Sequence, residues 1–152
     1  EVTSWEVEIT SSIPASKVFH DFVIVLFDFV IKNVIPKDFG MTITNQEGDG
    51  GVGTIKIMMQ DGSPQAKHKI TGLDMENFTY SMVMIEGIGD DEYESTLSEM
   101  KVIPSRNGGC TFISKNTEFK EISEGEIEFQ KEQIAEWFKV FEEVVSQGSN
   151  DY

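Results

Sequence analysis

The chain carries, at positions 47–56, the stretch Glu47-Gly48-Asp49-Gly50-Gly51-Val52-Gly53-Thr54-Ile55-Lys56, with four glycines in six residues. Glycine reaches positive φ without steric penalty and lets other backbone or a ligand approach closely. A run of glycines this dense predicts a specialised loop. The helices and strands of the remaining sequence can be assigned on either side of it.

The loop has two interpretations. Its letters match G-x-G-x-x-G, but in a dinucleotide-binding site that pattern opens a helix. Here residues 54–59 are rich in β-branched side chains and carry no helix start signal, so the loop joins strand to strand. The carboxylates of Glu47 and Asp49 also oppose polyphosphate binding. We therefore interpret Gly48, Gly50, Gly51 and Gly53 as parts of a structural hairpin loop rather than a nucleotide cradle.

Length and charge narrow the possible functions. The 152 residues predict one domain, 1–152, large enough for a sizeable core or cavity. The formal net charge of −15 argues against nucleic acid and against anionic membrane surfaces, because both are bound through clustered Lys and Arg. The apolar segment 22–35 is interrupted by charged and polar residues and predicts core rather than a membrane span.

The cysteine and histidine content points away from metal and disulfide chemistry. The single Cys110 excludes an intrachain disulfide framework and a Cys-based zinc cluster. His20 and His68 have no partner at metal-ligand spacing, so we expect no metal and no cofactor. A reducing, cytoplasmic location follows from the cysteine usage, and no leader pattern precedes the chain.

The first third of the chain predicts a strand and two short helices. Apolar residues alternate with polar ones over 4–10, which is the period of a half-buried strand. Ser11 or Ser12 can cap a helix with Pro14 in its early turn, and apolar residues then recur at helical spacing through position 23. Residues 25–35 predict a second short helix that ends at Pro36.

The remainder predicts an antiparallel meander and a final helix. Six further strand-like segments are separated by turn signals; they are residues 40–46, 54–60, 65–73, 78–86, 92–103 and 110–119. An amphipathic stripe then begins at Ser123 or Glu124 and continues for about twenty residues, ending before Gln147. This order predicts an α+β fold in which a seven-stranded curved antiparallel sheet packs its concave face on the long helix.

The sequence resembles the plant pathogenesis-related class-10 family, whose best known member is the major birch pollen allergen. The glycine-rich stretch at 47–56 matches that family's loop almost letter for letter. Further matches lie at Ser12-Ile13-Pro14-Ala15, Ile85-Glu86-Gly87 and Gly108-Gly109, so the similarity spans nearly the whole chain. The resemblance implies a helix-grip, START-like domain with a large internal cavity for cytokinins, flavonoids, sterol-like compounds or similar small molecules.

Some relatives, the norcoclaurine synthases, condense an amine with an aldehyde, so the resemblance also implies an alternative enzymatic function. Those synthases carry a cavity tyrosine just after Ile-Glu-Gly-Gly, whereas here Ile85-Glu86-Gly87 is followed by Ile88-Gly89. Their last-strand lysine aligns with Ser114. A ribonuclease activity suggested for other relatives uses a tyrosine where this chain has Val144. These departures weaken both enzymatic interpretations.

Strand alternation, with the resemblance placing Tyr80 inward, predicts the cavity-facing residues. The predicted ligand-binding set is Phe22, Val23, Lys56, Met58, Gln60, Tyr80, Met82, Met84, Ser98, Met100, Phe112, Ser114, Asn116, Glu118, Ile134 and Phe138. Each of these residues could instead simply fill a core. Adaptable methionines and several inward polar groups favour a ligand site, because an unpaired buried polar group costs about 1–3 kcal/mol.

Glu118 is the candidate catalytic residue within the predicted ligand-binding set. An inward carboxylate could receive a ligand amine or hydroxyl, or act as a general base if burial raises its pKa. A salt bridge to Lys56 or Lys120, or exposure, is the structural alternative. We expect a monomer or weak dimer that binds a small hydrophobic plant metabolite or hormone in a defence role. A lyase or isomerase of specialised metabolism is the alternative, and a collapsed cavity with surface partners is a third possibility.

Overall fold

The computed structural model describes residues 2–148. Strand β1 (Thr3–Ser11) is followed by helix α1 (Ala15–Val18), which continues directly as one π-helical turn (Phe19–Val23). Helix α2 (Leu26–Asn33) and a short 3₁₀ turn (Lys37–Phe39) complete the segment before the second strand. The two predicted short helices are present.

Six strands follow in sequence and one long helix closes the chain. The strands are β2 (Met41–Glu47), β3 (Ile55–Gln60), β4 (Ser63–Asp74), β5 (Thr79–Glu86), β6 (Tyr93–Pro104) and β7 (Cys110–Glu118). Helix α3 spans Glu124–Gly148. The strands form one antiparallel sheet in the order β1-β7-β6-β5-β4-β3-β2. The predicted fold class is therefore confirmed.

Three boundaries differ from the sequence-based prediction. Helix α3 continues through Gly148 instead of ending before Gln147. Strand β4 begins at Ser63, which was expected to lie in a turn, because the turn needs only Asp61 and Gly62, both at positive φ. The serine cap is also absent: Pro14 is the N-cap of α1, and the Ser11 hydroxyl accepts a hydrogen bond from the Ile13 N–H instead.

Four β-bulges interrupt the sheet. They lie at Asn45/Glu47, Met58/Met59, Ile70/Gly72 and Met84/Ile85. A bulge adds one residue to one strand, bends it and increases its twist, and it also re-aims the neighbouring side chains. These irregularities help the sheet to curve around the helices, and they matter for which residues face the interior.

Phenylalanines join the two short helices to α3 and β7. Phe22 packs against Phe138 and Phe141, with ring centroids 5.3 and 5.2 Å apart. Phe112 on β7 stacks on Phe138 at 5.5 Å, and Phe29 meets Phe22 edge to face at 5.6 Å. Aromatic pairs at these separations add about 0.5–1.5 kcal/mol each beyond their buried area. The core is therefore concentrated at this end of the sheet, and the opposite end is left less filled.

The glycine-rich loop joins β2 to β3, as predicted. The Gly50 N–H donates to the hydroxyl of the buried Thr54 at 2.9 Å, and the Gly53 N–H donates to the Ile70 carbonyl at 2.8 Å. Gly48 has a φ of +91°, and a Cβ there would lie 2.6 Å from the Thr54 hydroxyl oxygen. The loop is therefore held against Thr54 and β4, and glycine at position 48 is required sterically.

None of the helices within residues 2–148 combines the length and apolar character needed to cross a membrane. In the same residues, no group of three or more His, Cys, Asp or Glu side chains is arranged to hold a metal ion.

Candidate functional site

A cavity of about 920 Å³ lies between the sheet and the helices. Its walls come from β1, the α1–α2 region, the strands β3 to β7 and helix α3. The apolar part of the lining includes Trp5, Phe22, Leu26, Phe27, Met82, Met84, Met100, Phe112, Ile134 and Trp137. A void of this size with mostly apolar walls is typical of small-molecule sites.

Much of the predicted ligand-binding set lines this cavity. The lining members are Phe22, Met82, Met84, Ser98, Met100, Phe112, Ser114, Asn116, Glu118 and Ile134. On β5, β6 and β7 the inward residues follow simple alternation, since the register pairs Met82 with Ser98 and Ser98 with Asn116. Strand alternation therefore located most of the lining on these three strands.

The other six members do not line the cavity. They are Val23, Lys56, Met58, Gln60, Tyr80 and Phe138. Val23, Tyr80 and Phe138 are fully packed members of the hydrophobic core, so their inward orientation leaves them no contact with the void. On β3, Ile57 lines the cavity and Met58 and Gln60 do not. The irregularity at Met58/Met59 adds the extra residue Gln65 to β4, and Gln65 also borders the cavity.

Lys56 lies in a separate, much smaller pocket beside α2. Its ammonium is 3.8 Å from the Asp28 carboxylate, and Val23, His68 and Tyr80 share the same pocket. Burial, with a smaller contribution from Lys56, lowers the pKa of His68 to about 4. Burial and the charge of Asp28 raise the pKa of Tyr80 to about 12. Both side chains are therefore neutral at pH 7, and this group ties α2 to the sheet.

A row of hydrogen-bonded polar side chains crosses the cavity wall. The Ser98 hydroxyl donates to the side-chain oxygen Oδ1 of Asn116 at 2.6 Å. The side-chain nitrogen Nδ2 of Asn116 donates to the Ser114 hydroxyl oxygen at 3.1 Å. All three residues are buried. Pairing within the row satisfies part of their hydrogen-bonding capacity, and the Ser114 hydroxyl proton is left for another acceptor. This wall can orient a ligand that carries a polar group.

Glu118 is almost fully buried on the same wall, at 1% exposure. Its Oε2 accepts a hydrogen bond from the Trp5 indole at 3.1 Å, and its Oε1 accepts one from the Thr96 hydroxyl at 2.8 Å. It forms no ion pair with any described lysine, arginine or histidine. The proposed salt bridge to Lys56 or Lys120 and the alternative of surface exposure are both wrong.

Ser95 and Thr96 are cavity residues that alternation did not predict. The bulge at Met84/Ile85 leaves Ser95 as an extra residue of β6, so two consecutive side chains line the cavity. Ser95 is 1% exposed, and its hydroxyl has no hydrogen-bond partner among the described residues. No local signal in the sequence marks this bulge, which is why the pair was missed.

Two ion pairs lie at the charged end of the cavity. Lys120 contacts Glu86 at 2.6 Å, and Lys67 pairs with Glu92. The hydrogen bond from Lys120 is the main reason why the pKa of Glu86 is lowered; the Ser95 hydroxyl contributes by proximity although it is not at hydrogen-bonding geometry. These paired charges form a polar rim around an apolar interior.

The rim also shows how the site differs from that of the synthases discussed above. Gly89, at the position where the resemblance places the tyrosine of those enzymes, borders the cavity but has no side chain. Its neighbour Ile88 also borders the cavity and is 88% exposed. Ser114, at the position of their lysine, is buried and accepts the Asn116 amide. The glycines of the 47–56 loop do not border the cavity. Within the described residues, therefore, the groups that can meet a ligand lie on the strands, the helices and the loops that follow β5 and β7.

Comparisons with known proteins agree with this architecture. The family model described as "Pathogenesis-related protein Bet v 1 family" matches residues 1–147. Major strawberry allergen Fra a 1.04 of Fragaria ananassa is 35% identical over 162 residues, covering 99% of this chain and 98% of that protein. The crystal structure of Ara h 8.0201 has a TM-score of 0.74 at 23% identity, covering 97% of this chain and 99% of that one.

A fourth similarity is to norcoclaurine synthase from Thalictrum flavum, solved in complex with dopamine and hydroxybenzaldehyde. It has a TM-score of 0.51 at 22% identity and covers 77% of this chain and 69% of that one. At these identities, both structural similarities show a shared fold and carry no statement about activity.

Proposed function

The chain belongs to the pathogenesis-related protein Bet v 1 family, and on that premise we propose that it binds a small hydrophobic or amphipathic molecule in its internal cavity. The observation that carries the proposal is the cavity itself, a void of about 920 Å³ with apolar walls and a few buried polar groups. A folded domain gains stability by filling such space with its own side chains, because a cavity forfeits dispersion contacts along its lining. A cavity that stays open despite this loss of contacts favours a function in binding a ligand.

The lining supports a ligand of mixed character. Met82, Met84 and Met100 present flexible, polarisable side chains that adapt to irregular shapes. The Ser98–Asn116–Ser114 row supplies oriented hydrogen-bonding groups within the same walls. Cytokinins, flavonoids, sterol-like compounds and alkaloids all combine an apolar body with a few polar atoms. Binding of such a compound in the cytoplasm, for storage, transport or signalling in plant defence, is the role we propose, for a monomer or weak dimer.

Displacement of a neutral fluorescent probe tests the proposal. N-phenylnaphthylamine should bind the wild-type protein with one-to-one stoichiometry and show enhanced fluorescence. Met84→Trp places a larger side chain in the void and should weaken probe binding by roughly tenfold or more. Met75→Trp is the matched control, because Met75 lies outside the cavity and is 44% exposed. Equal probe affinity in the wild type and both variants would overturn cavity binding.

A carbon–carbon lyase or isomerase of specialised metabolism is the second candidate function. One observation favours it: Glu118 places a carboxylate inside an apolar cavity, where it could act as a general base. Gly89 and the buried Ser114 stand where the resemblance places a tyrosine and a lysine in the related synthases, and they count against this function. The test is turnover of an amine with an aldehyde that disappears in Glu118→Gln. Absence of turnover across a broad substrate panel would exclude this function.

A further inference from the structure

We propose that the cavity is built for a ligand bearing a single positive charge, whose ammonium group pairs with the Glu118 carboxylate. This inference rests on the proposed binding function and narrows it to one chemical class, amphipathic amines. It follows from the charge balance of the lining, from the hydrogen bonds of Glu118 and from the free hydroxyl of Ser95.

The positive and negative charges of the ionisable side chains that line the cavity are not equal in number. They are the lysines Lys67 and Lys120 and the carboxylates Glu86, Glu92 and Glu118. Both lysines are engaged, Lys67 with Glu92 and Lys120 with Glu86. Glu118 is left without a cation, so the lining is one positive charge short.

The hydrogen bonds to Glu118 among residues 2–148 come from neutral donors. Trp5 on β1 donates to one oxygen and Thr96 on β6 donates to the other. An ionised carboxylate offers about four acceptor sites, so roughly two are unoccupied. A buried charge is costly unless it is paired and hydrogen-bonded, and two neutral donors meet that requirement only in part. An ammonium group supplies both the missing charge and up to three donors.

Ser95 adds a second polar atom at the same end of the cavity. Its carbonyl accepts the Phe119 N–H at 2.9 Å, so Ser95 lies beside the strand position that follows Glu118. Its side-chain hydroxyl is buried and lines the cavity, and it lies near enough to Glu86 to help lower the pKa of that carboxyl, but it completes no hydrogen bond among the described residues. A hydroxyl oxygen can accept a hydrogen bond from a ligand ammonium. An unpaired buried hydroxyl is unfavourable in the empty protein and is relieved by such a ligand.

Lys120 is a cation near the Glu118 carboxylate, but it does not remove the preference of the cavity for a cationic ligand. Lys120 lies two residues along the chain, and Glu118 contributes to raising the pKa of its ammonium, so the two charges interact. However, Lys120 is in direct contact with Glu86, and that hydrogen bond is the largest cause of its raised pKa. The Lys120–Glu86 pair is close to neutral as a unit. A ligand cation therefore meets net negative charge at this end of the cavity.

Apolar surface is available for the rest of such a ligand, because Met84 lies beside Thr96 in the sheet and α3 adds two further side chains. Met84, Trp137 and Ile134 line the cavity with apolar surface contributed by β5 and α3. An amine attached to an aromatic or aliphatic body can place its body against these side chains and its charged end at Glu118. A carboxylate or sulfonate of the same shape would meet like charge instead, and we expect it to be rejected.

A matched ligand series tests the inference. Phenylhexylamine, phenylhexanol and phenylhexanoate share one apolar body and differ only in the terminal group, and at pH 7 the amine is protonated. Each would displace the neutral probe N-phenylnaphthylamine from the wild-type protein. The amine should bind about tenfold more tightly than the alcohol, since a charge-assisted hydrogen bond is roughly twice as strong as a neutral one. The carboxylate should bind most weakly.

Two variants locate the source of the preference. Glu118→Gln retains the size and an acceptor oxygen but removes the charge, and it should bring amine and alcohol affinities to within about twofold. Glu99→Gln removes the same charge from an exposed position on β6, directly between the inward Ser98 and Met100. It should leave the amine preference unchanged, which separates the local carboxylate from attraction by the net charge of −15.

The outcomes are distinguishable from failure of the proposed function. If the probe and the alcohol bind but the amine binds no more tightly, the inference is wrong and cavity binding stands. If Glu99→Gln abolishes the preference as fully as Glu118→Gln does, the overall charge is responsible and the inference is also wrong. If neither the probe nor any ligand binds, both fail together. If Glu118→Gln does not fold, the wild-type series can still overturn the inference, because an amine that binds no more tightly than the alcohol contradicts it.

Discussion

Acidification should destabilise this protein through His68, a buried histidine on β4. The side chain is 4% exposed, and its ring centroid is 5.0 Å from that of Phe27 in the α1–α2 region. In the sheet register it lies between Lys56 and Met84. Burial is the larger cause and the Lys56 charge the smaller cause of a pKa lowered to about 4. Asp28, which contacts Lys56 at 3.8 Å, offsets part of the lysine's charge.

The sign and size of the effect follow from proton linkage. Above pH 6.5 the imidazole is neutral in both the folded and the unfolded chain. As the pH falls from 6.5 to about 4, His68 is protonated in the unfolded chain but stays neutral in the folded protein. The free energy of unfolding therefore decreases across that pH range. A pKa lowered from 6.5 to about 4, at about 1.36 kcal/mol per pKa unit, corresponds to about 3 kcal/mol.

Urea unfolding between pH 7 and pH 4 measures this contribution. His68→Leu removes the titrating ring, so its stability should fall by about 3 kcal/mol less than that of the wild type over the same range. Both proteins share the carboxylates with lowered pKa, Asp74 and Glu86, and the difference between them isolates the histidine. His20→Gln is the control, since it removes an exposed imidazole. Parallel pH profiles for the wild type and His68→Leu would refute the reasoning.

Three further predictions concern the loop, the cysteine and a core tyrosine. Gly48→Ala should destabilise the fold by about 2 kcal/mol, because φ is +91° and the new Cβ would meet Thr54. Gly51→Ala should change little in urea unfolding, because φ is ordinary and the new Cβ would make only a van der Waals contact with Asp49 at 3.6 Å. Cys110 is fully buried, and burial raises its thiol pKa, so its reaction with dithionitrobenzoate should be roughly a hundredfold slower in the folded than in the unfolded protein; equal rates would contradict its burial. In an alkaline absorbance titration, Tyr80→Phe should lose the component with a pKa of about 12, and an unchanged curve would show that Tyr80 ionises normally.

Most of the architecture was predictable because it depends on local patterns. Alternation over residues 4–10 and over the later strand-like segments predicted all seven strands. Two short helices and a long C-terminal helix were placed correctly from apolar spacing, with errors of a few residues at their ends. Helix and strand periods are properties of consecutive residues, so a sequence contains them directly. The glycine-rich loop was assigned to a hairpin for the same reason.

The site was only partly predictable because its composition depends on long-range register. Met58 and Gln60 were placed on the cavity wall by alternation along β3, whereas Ile57 is the residue of that strand that borders the cavity. Ser95 was overlooked because a bulge adds it to the inward face. Tyr80 and Phe138 do point into the interior, but helix packing fills the space around them, so they belong to the core instead of the cavity wall.

The sequence by itself determined the family, the order of the elements and the phase of the regular strands, because these follow from neighbouring residues. Only the tertiary structure decided which inward side chains meet empty space and which meet each other. It also decided that Glu118 has Trp5 and Thr96 as partners and no cation, since Trp5 and Glu118 are 113 positions apart in the chain. Charge compensation is a property of three-dimensional proximity, and no spacing in a single sequence records it.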